Sequence, residues 1–288
     1  MMTNDQLTAY LRRLRLDATP RADVEGLAQV QAAHRRAIPF ENLDIRLGRP
    51  IRIDSESVFD KLVTRRRGGY CFEQNRLFAD MLAALGLPSR PLLARVQLGA
   101  EPGEIMPRTH TLLLLEIDGA PWVADAGFGG SFVPPLPLRD GVTVTTPDGA
   151  SHRLRLVSES DGQWLLERRG DTPAAMDNRA EAGAGTGWQP QYLFDLAPVA
   201  PIDLELSNHW TATRPDTRFT SLHIASIVLP DGFVALTETA LTLYRGGKAE
   251  RREIADAEEY RAVLTDHCGL ALSRDEVAQL PLFASSRP

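Results

Sequence analysis

Apolar residues in the first third of the chain recur at the three- and four-residue spacing that places them on one helix face. Thr3 and Gln6 form a capping-box pattern, and Thr19 with Pro20 indicates a second helix start, since proline is tolerated in the first turn. A third helix is predicted around residues 59–63. The first apolar stripe consists of Leu7, Leu11 and Leu14.

A longer helix is predicted after Cys71. Its apolar face ends at Gly86, with Pro88 beyond it, which is the pattern of a helix C-terminus. Cys71 therefore lies near the N-terminus of this helix. The apolar face is formed by Leu77, Phe78, Met81, Leu82 and Leu85.

From Pro91 the pattern changes to short β-rich runs separated by turn signals such as Asp118-Gly119. This arrangement favours an antiparallel meander or barrel over a βαβ repeat. Residues 171–187, which are rich in Ala and Gly, are predicted to form a surface loop. The runs are residues 92–98, 110–117, 122–126, 153–157 and 164–167.

The last third begins with a Pro-rich linker at Pro198–Pro201 and then mixes strands with helices. Strands are predicted at 224–229 and 233–244, a hairpin at Gly246-Gly247, and a closing helix over 256–268. Ser273 and Glu276 form the capping box of a final short helix. The chain as a whole is of the α+β class.

Composition narrows the possible functions. The 288 residues are 43% apolar and 24% charged with a formal net charge of -6, which suits a globular protein and argues against a nucleic-acid partner. The longest apolar runs, such as Leu112–Leu115, are too short to span a membrane, and the N-terminus lacks a signal-peptide plan. We therefore expect a cytoplasmic protein without a membrane partner. No pattern indicates an oligomeric state.

The segment Arg67–Glu73 carries the densest chemical signal. Gly68 and Gly69 allow a sharp turn before the helix, and the positive end of the helix dipole stabilises a thiolate at Cys71. Only one other cysteine, Cys268, is present, and two cysteines cannot build a four-cysteine zinc site, so no metal is expected.

A thiolate nucleophile needs a base and a group that orients the base. His110 begins one strand of the predicted hairpin, and Asp125 lies at a similar distance from the turn on the other strand. Pairing could bring both side chains together. On the residues alone, a small buried cysteine, a core histidine and a turn aspartate remain an equally good interpretation.

Four segments in register resemble the arylamine N-acetyltransferases. They are Arg67–Asn75, Pro39–Leu43, Arg108–His110 and Asp125–Gly129, and the similarity continues through Asn208–Phe219. The resemblance implies a catalytic triad of Cys71, His110 and Asp125. It also implies a helical bundle over residues 1–88 that carries the cysteine, a β-barrel over 89–197 that carries the histidine and aspartate, and an α/β lid over 198–288.

The same resemblance implies acetyl-CoA as a co-substrate, with no permanently bound cofactor. In ping-pong order, Cys71 would take the acetyl group, CoA would leave, and an arylamine, arylhydrazine or N-hydroxyarylamine would attack the thioester. The physiological amine, the preferred acyl donor, and a role in xenobiotic metabolism or in biosynthesis stay open.

Residues near the motifs suit supporting roles. Glu41 and Arg67 could form a buried ion pair that holds the loop before Cys71, the alternative being two solvated charges. Phe40 and Phe128 could form an apolar slot for the amine, or belong to the ordinary core. The backbone could approach CoA closely at three glycines, although such turns are common without a ligand. These are Gly127, Gly129 and Gly130.

Two other interpretations are open. The order Cys, His, Asp also resembles papain-type and transglutaminase-type thiol enzymes, but the papain run around the cysteine is absent. A catalytically silent CoA-binding protein is the second, and the intact triad argues against it. Cys268 follows His267 directly and is interpreted as structural, because adjacent helix positions point about 100° apart. The remaining histidines are expected to be surface or capping residues. They are His34, His152, His209 and His223.

Overall fold

The structure is a computed structural model that describes residues 2–101, 103–129, 132–170 and 187–283. Its class is α+β, with helices first, a large antiparallel sheet next, and a mixed region last. The predicted loop at 171–187 lies, apart from residue 187, outside the described residues. None of the described helices combines the length and hydrophobicity that a membrane crossing requires. The helices are α1 (Asn4–Arg13), α2 (Val24–Ala37), α3 (Leu43–Arg46), α4 (Ser55–Phe59), α5 (Cys71–Ala84), α6 (Pro201–Thr213), α7 (Arg218–Ser221), α8 (Ala257–Cys268) and α9 (Arg274–Gln279).

Helix boundaries follow local capping chemistry. The capping box of α1 is confirmed, with the Gln6 amide donating to the Thr3 hydroxyl at 3.2 Å. The predicted start of the second helix at Thr19 is wrong. Helix α2 begins instead after Asp23, whose carboxylate accepts a hydrogen bond from the Gly26 amide at 2.8 Å. A carboxylate at the N-cap accepts a hydrogen bond from a free helical N–H, whereas proline only removes one such donor and supplies no acceptor. The third helix, predicted around residues 59–63, corresponds to the end of α4 and to the π-helical turn over Asp60–Thr64 that continues it.

Within the described residues, eight strands form one antiparallel sheet that curves into a nearly closed, barrel-like shape. Its two edge strands there, residues 136–137 and 143–145, do not pair with each other. One cluster of buried side chains, including Leu92, Leu112, Leu154 and Tyr192, fills the interior of the curve. The strands are β2 (Ser89–Val96), β3 (Arg108–Ile117), β4 (Ala120–Ala124), β5 (Leu136–Pro137), β6 (Thr143–Thr145), β7 (Ser151–Ser158), β8 (Gln163–Arg169) and β9 (Gln189–Phe194). Their order across the sheet is β5-β4-β3-β2-β9-β8-β7-β6.

The hairpin predicted at Asp118-Gly119 is confirmed. Ile117 pairs with Ala120, and both loop residues have positive φ, 52° and 73°. Such two-residue turns match the twist of antiparallel strands. This turn sets the register of β3 and β4, the two strands that lead to His110 and Asp125.

A second antiparallel sheet, of five strands in the part of the chain that the structure describes, lies in the last third and includes one strand from the first third. That strand, residues 40–41, pairs with residues 225–226, Phe40 opposite Ser226. The single run predicted over 233–244 is wrong, because the chain turns at Glu238, where φ is +52°, and forms two strands. The capping box of α9 is confirmed, whereas α6 was not predicted. The strands are β1 (Phe40–Glu41), β10 (Ile224–Leu229), β11 (Gly232–Thr237), β12 (Ala240–Arg245) and β13 (Lys248–Glu253).

Candidate active site

Cys71 is the first residue of α5, and the loop before it is packed too tightly for side chains. A Cβ on Gly68 would lie 2.3 Å from the Pro39 carbonyl oxygen, and one on Gly69 would lie 2.7 Å from the Glu73 carboxylate. Neither glycine has a left-handed backbone. Close packing, and not the expected sharp turn, therefore explains why both positions are glycine. The Glu73 carboxylate accepts a hydrogen bond from the Tyr70 amide at 3.1 Å, which caps the helix.

The Cys71 thiol is buried, with 3% of the residue exposed. Its Sγ lies 3.6 Å from the Thr109 carbonyl oxygen, to which it donates a hydrogen bond. Burial, together with the charge of Asp125, raises the pKa of the Cys71 thiol well above its ordinary value. The helix dipole therefore does not by itself produce a thiolate here. A buried thiolate needs a cation at its side, which a protonated imidazole can supply.

His110 lies on β3, and its Nε2 donates a hydrogen bond to Asp125 Oδ2 at 2.7 Å. Both side chains are buried. Asp125 follows β4, where Ala124 pairs with Leu113, so Asp125 lies diagonally across from His110. Since Nε2 faces the carboxylate, Nδ1 is the ring nitrogen left for the thiol proton.

Asp125 is held in place through its second oxygen. Oδ1 accepts hydrogen bonds from the Gly127 amide at 2.9 Å and from Asn75 Nδ2 at 3.0 Å. Burial alone would raise the pKa of Asp125, but the nearby His110 and these hydrogen bonds outweigh it and lower the pKa from its ordinary value. Asp125 is consequently an anion that can orient the imidazole.

Asn75 links the nucleophile helix to the aspartate loop, a role that the sequence did not reveal. It lies one turn after Cys71 on α5, and its carboxamide also donates to the Thr111 carbonyl at 2.6 Å and accepts from the Ala126 amide at 2.9 Å. A polar residue four positions after the nucleophile, inside an apolar helix, was the available signal.

Cys71 and His110 open onto one cavity of about 300 Å³. Its walls are mostly apolar, and the two phenylalanines named from the sequence, Phe40 and Phe128, line it. The Phe128 ring lies edge-on to the His110 ring, with centroids 5.2 Å apart. Tyr192, which the sequence did not indicate, packs against both rings at 5.0 Å. Burial and the Asp125 carboxylate hold the pKa of Tyr192 well above its ordinary value.

Two of the three glycines proposed for CoA also line this cavity, and each packs against the site itself. A Cβ on Gly127 would lie 2.8 Å from the Cys71 Cα, and one on Gly129 would lie 2.6 Å from the Phe40 ring. Their small size therefore has a packing reason that does not involve a ligand. Gly130 lies outside the described residues.

Glu41 and Arg67 lie 3.1 Å apart and are buried. They belong to a larger charged network: Lys61 lies 2.7 Å from Glu73 and 2.8 Å from Asp44, and Arg67 also reaches Asp44 at 3.2 Å. Burial opposes these charges, but Lys61 and Arg67 lower the pKa of Asp44 to about 2. The network joins the loop before Cys71 to α3 and to the π-helical turn.

The remaining histidines and the second cysteine lie away from this cavity. Of the four expected to be surface or capping residues, only His209 is exposed, and the other three are buried. His34, for example, bridges the Tyr10 hydroxyl at 2.8 Å and the Gln74 carboxamide at 2.6 Å. Cys268 is buried in the core of the last third, and burial raises its pKa to about 12.

Comparisons with known proteins find similarity along most of the chain. A family model described as N-acetyltransferase matches residues 23–277. The arylamine N-acetyltransferase of Escherichia coli strain K12 is 36% identical over 269 residues, covering 92% of this chain and 89% of the relative. The solved arylamine N-acetyltransferase of Salmonella typhimurium superposes with a TM-score of 0.86 at 34% identity, covering 97% of this chain and 98% of that one. The Mycobacterium marinum arylamine N-acetyltransferase in complex with CoA gives 0.82 at 31% identity, over 95% and 98%.

Proposed function

This chain belongs to the arylamine N-acetyltransferase family, and we propose that it transfers an acetyl group from acetyl-CoA to the nitrogen of arylamines, arylhydrazines or N-hydroxyarylamines. The observation that carries the proposal is the shared cavity: Cys71 and His110 both line it, and His110 is hydrogen-bonded to Asp125. Family membership favours this reaction over those of papain-type and transglutaminase-type enzymes.

The reaction proceeds in two half-reactions. The Cys71 thiol gives its proton to His110 Nδ1, and the thiolate attacks the acetyl carbonyl of acetyl-CoA. The C–S bond to CoA breaks, and CoA thiolate takes the proton from His110 as it leaves. Asp125 stabilises the imidazolium in between and does not itself become protonated.

The amine completes the cycle. Its nitrogen attacks the thioester carbonyl while His110 accepts the N–H proton, and the Cys71 thiolate is released and reprotonated. The apolar walls, including Phe40 and Phe128, suit a flat aromatic ring, and their burial excludes water that would hydrolyse the thioester. The residues that hold CoA are part of the same proposal: Gly127 and Gly129 bring the backbone to the cavity wall, and Gly130 follows them.

The test is intact mass spectrometry after incubation with acetyl-CoA and no amine. We expect one added acetyl group on the wild-type protein and none on Cys71→Ala. Cys268→Ala is the matched control, because it removes the other buried cysteine and should still be acetylated. Adding an arylamine should return the protein to its original mass and form the acetylated amine. Unmodified wild-type protein would rule out the thioester mechanism.

A further inference from the structure

Helix α2 lies against the loop that carries Asp125 and presents two side chains to it, one turn apart. Gln31 accepts a hydrogen bond from the Asp125 amide at 3.0 Å and donates one to the Val133 carbonyl at 2.6 Å. Gln31 is fully buried. The backbone on both sides of the loop is thus attached to α2, independently of the bonds that reach Asp125 from α5.

Arg35 is the second of these side chains. Its guanidinium donates from Nη2 to the Phe128 carbonyl at 2.7 Å and from Nη1 to the Ala126 carbonyl at 3.3 Å. Only 3% of the residue is exposed. Its hydrogen-bond partners are therefore neutral backbone groups, and the acid whose charge acts on it is Asp125.

A full positive charge at this position is costly. Burial lowers the pKa of Arg35 to about 10 even though the negative charge of Asp125 opposes that shift. A neutral side chain could hold a carbonyl without this desolvation cost. The charge itself therefore needs a reason, and the buried carboxylate on the same loop provides one.

We infer that Arg35 is a positioning residue for the triad: its guanidinium fixes the loop of Asp125 and Phe128, and its positive charge balances the buried carboxylate of Asp125. The inference rests on the proposed acetyl transfer through Cys71. Besides burial, the charge of Asp125 raises the pKa of the Cys71 thiol. A cation near that carboxylate offsets part of this effect and makes thiol ionisation more favourable. Without Arg35, the thiol would hold its proton to higher pH.

No other described group that faces this site replaces that charge near neutral pH. Tyr192 stays a phenol because burial holds its pKa well above its ordinary value. His34 stays neutral because burial lowers its pKa to about 3, and Arg13 from α1 acts on it in the same direction. The other titratable groups of the site are Cys71 on α5, His110 on β3, Asp125 after β4 and Tyr192 on β9. His34 interacts with Arg35 on α2 without lining the cavity.

The experiment measures the rate of Cys71 alkylation by iodoacetamide against pH in the free protein, with the modified peptide identified by mass. Arg35→Met should move the midpoint up by about 1 pH unit, the scale of one nearby charge. Arg35→Lys should leave the midpoint close to wild type but lower the acetylation rate several-fold, since one ammonium group cannot bridge both carbonyls as the planar fork does. Arg36→Met is the matched control, because Arg36 is the next residue on α2 and is exposed.

Each outcome either supports or overturns the inference about Arg35. An unshifted midpoint in Arg35→Met would overturn the inference, as would an equal shift in Arg36→Met. If the methionine variant does not fold, Arg35→Gln replaces it, and equal midpoints in the lysine and glutamine variants would also overturn it. Wild-type protein that acetyl-CoA fails to acetylate contradicts the proposed function, whereas acetylated wild type with an unshifted Arg35→Met contradicts this inference alone.

Discussion

Replacing Asp125 with asparagine removes the negative charge beside His110 and keeps the shape of the side chain. In the structure, Asp125 Oδ1 accepts two hydrogen bonds, from the Gly127 amide and from Asn75 Nδ2, while Oδ2 faces His110 Nε2 at 2.7 Å. The asparagine oxygen keeps the two-donor position, so its NH2 group faces the imidazole. Nε2 must then be the acceptor, and the ring proton moves to Nδ1.

With its proton on Nδ1, the imidazole cannot act as the base, because Nδ1 is the nitrogen that accepts the Cys71 proton. The wrong tautomer and the missing anion together cost about 10⁴-fold in rate for the equivalent change in a Ser-His-Asp triad. This factor corresponds to about 5 kcal/mol of transition-state stabilisation. The loss of one charged hydrogen bond should lower the free energy of unfolding by about 1–3 kcal/mol, which leaves a protein of this size folded.

The assay is single-turnover acetylation of Cys71 by acetyl-CoA, with thermal unfolding measured on the same samples. The matched control is Asp118→Asn, an Asp→Asn change in the exposed turn between β3 and β4, where asparagine tolerates the positive φ. We expect wild-type kinetics from the control. A folded Asp125→Asn protein that is acetylated within tenfold of the wild-type rate would refute the assigned role of the carboxylate.

Three further outcomes are expected. Lys61→Met leaves two buried carboxylates without their shared cation, so it should lower the free energy of unfolding by about 3–5 kcal/mol in urea titrations. The control Lys248→Met changes the exposed second lysine and should alter that free energy by less than about 0.5 kcal/mol. Equal effects of the two variants would contradict the buried network. Gly127→Ala places a Cβ 2.8 Å from the Cys71 Cα and should slow acetylation at least tenfold. The control Gly187→Ala should not slow it, because the space around Gly187 is open. A fully active Gly127→Ala protein would show that the loop can shift. His34 has a pKa lowered by burial from 6.5 to about 3, so it stabilises the fold fully above pH 6.5, and this contribution is lost as pH falls toward 3. In His34→Gln the free energy of unfolding should consequently fall less steeply over that range in urea titrations at stepped pH, and an unchanged slope would contradict the assignment.

Local patterns predicted most of the elements correctly. The capping boxes at Thr3 and Ser273 and the turn at Asp118-Gly119 are all in the structure. Each depends on residues within about four positions of one another, and such interactions are visible in the sequence. Where the prediction failed, a stronger local competitor decided, as at Asp23, whose carboxylate caps α2 in place of the predicted start at Thr19. The division at residues 88 and 197 stays a prediction.

The same distinction between local and distant interactions applies to the residues of the candidate site. Cys71, His110 and Asp125 could be named because their neighbours along the chain form motifs and because the hairpin turn sets the register of two of them. Asn75 and Arg35 could not be assigned a role. Each acts through contacts with a loop that is 50 residues or more away in the sequence. Although Asn75 is a polar residue one turn after the nucleophile, nothing local identifies its partners or those of Arg35.

The sequence by itself determined the capping boxes of α1 and α9, the hairpin turn at Asp118-Gly119, and which thiol, imidazole and carboxylate could meet. Only the tertiary structure decided the protonation chemistry of the site. Burial raises the pKa of Cys71, and the groups around Asp125 keep it ionised, although neither effect has any signal along the chain. The physical reason is that solvent exclusion and charge proximity depend on packing between distant segments, whereas capping and turn geometry depend on neighbours.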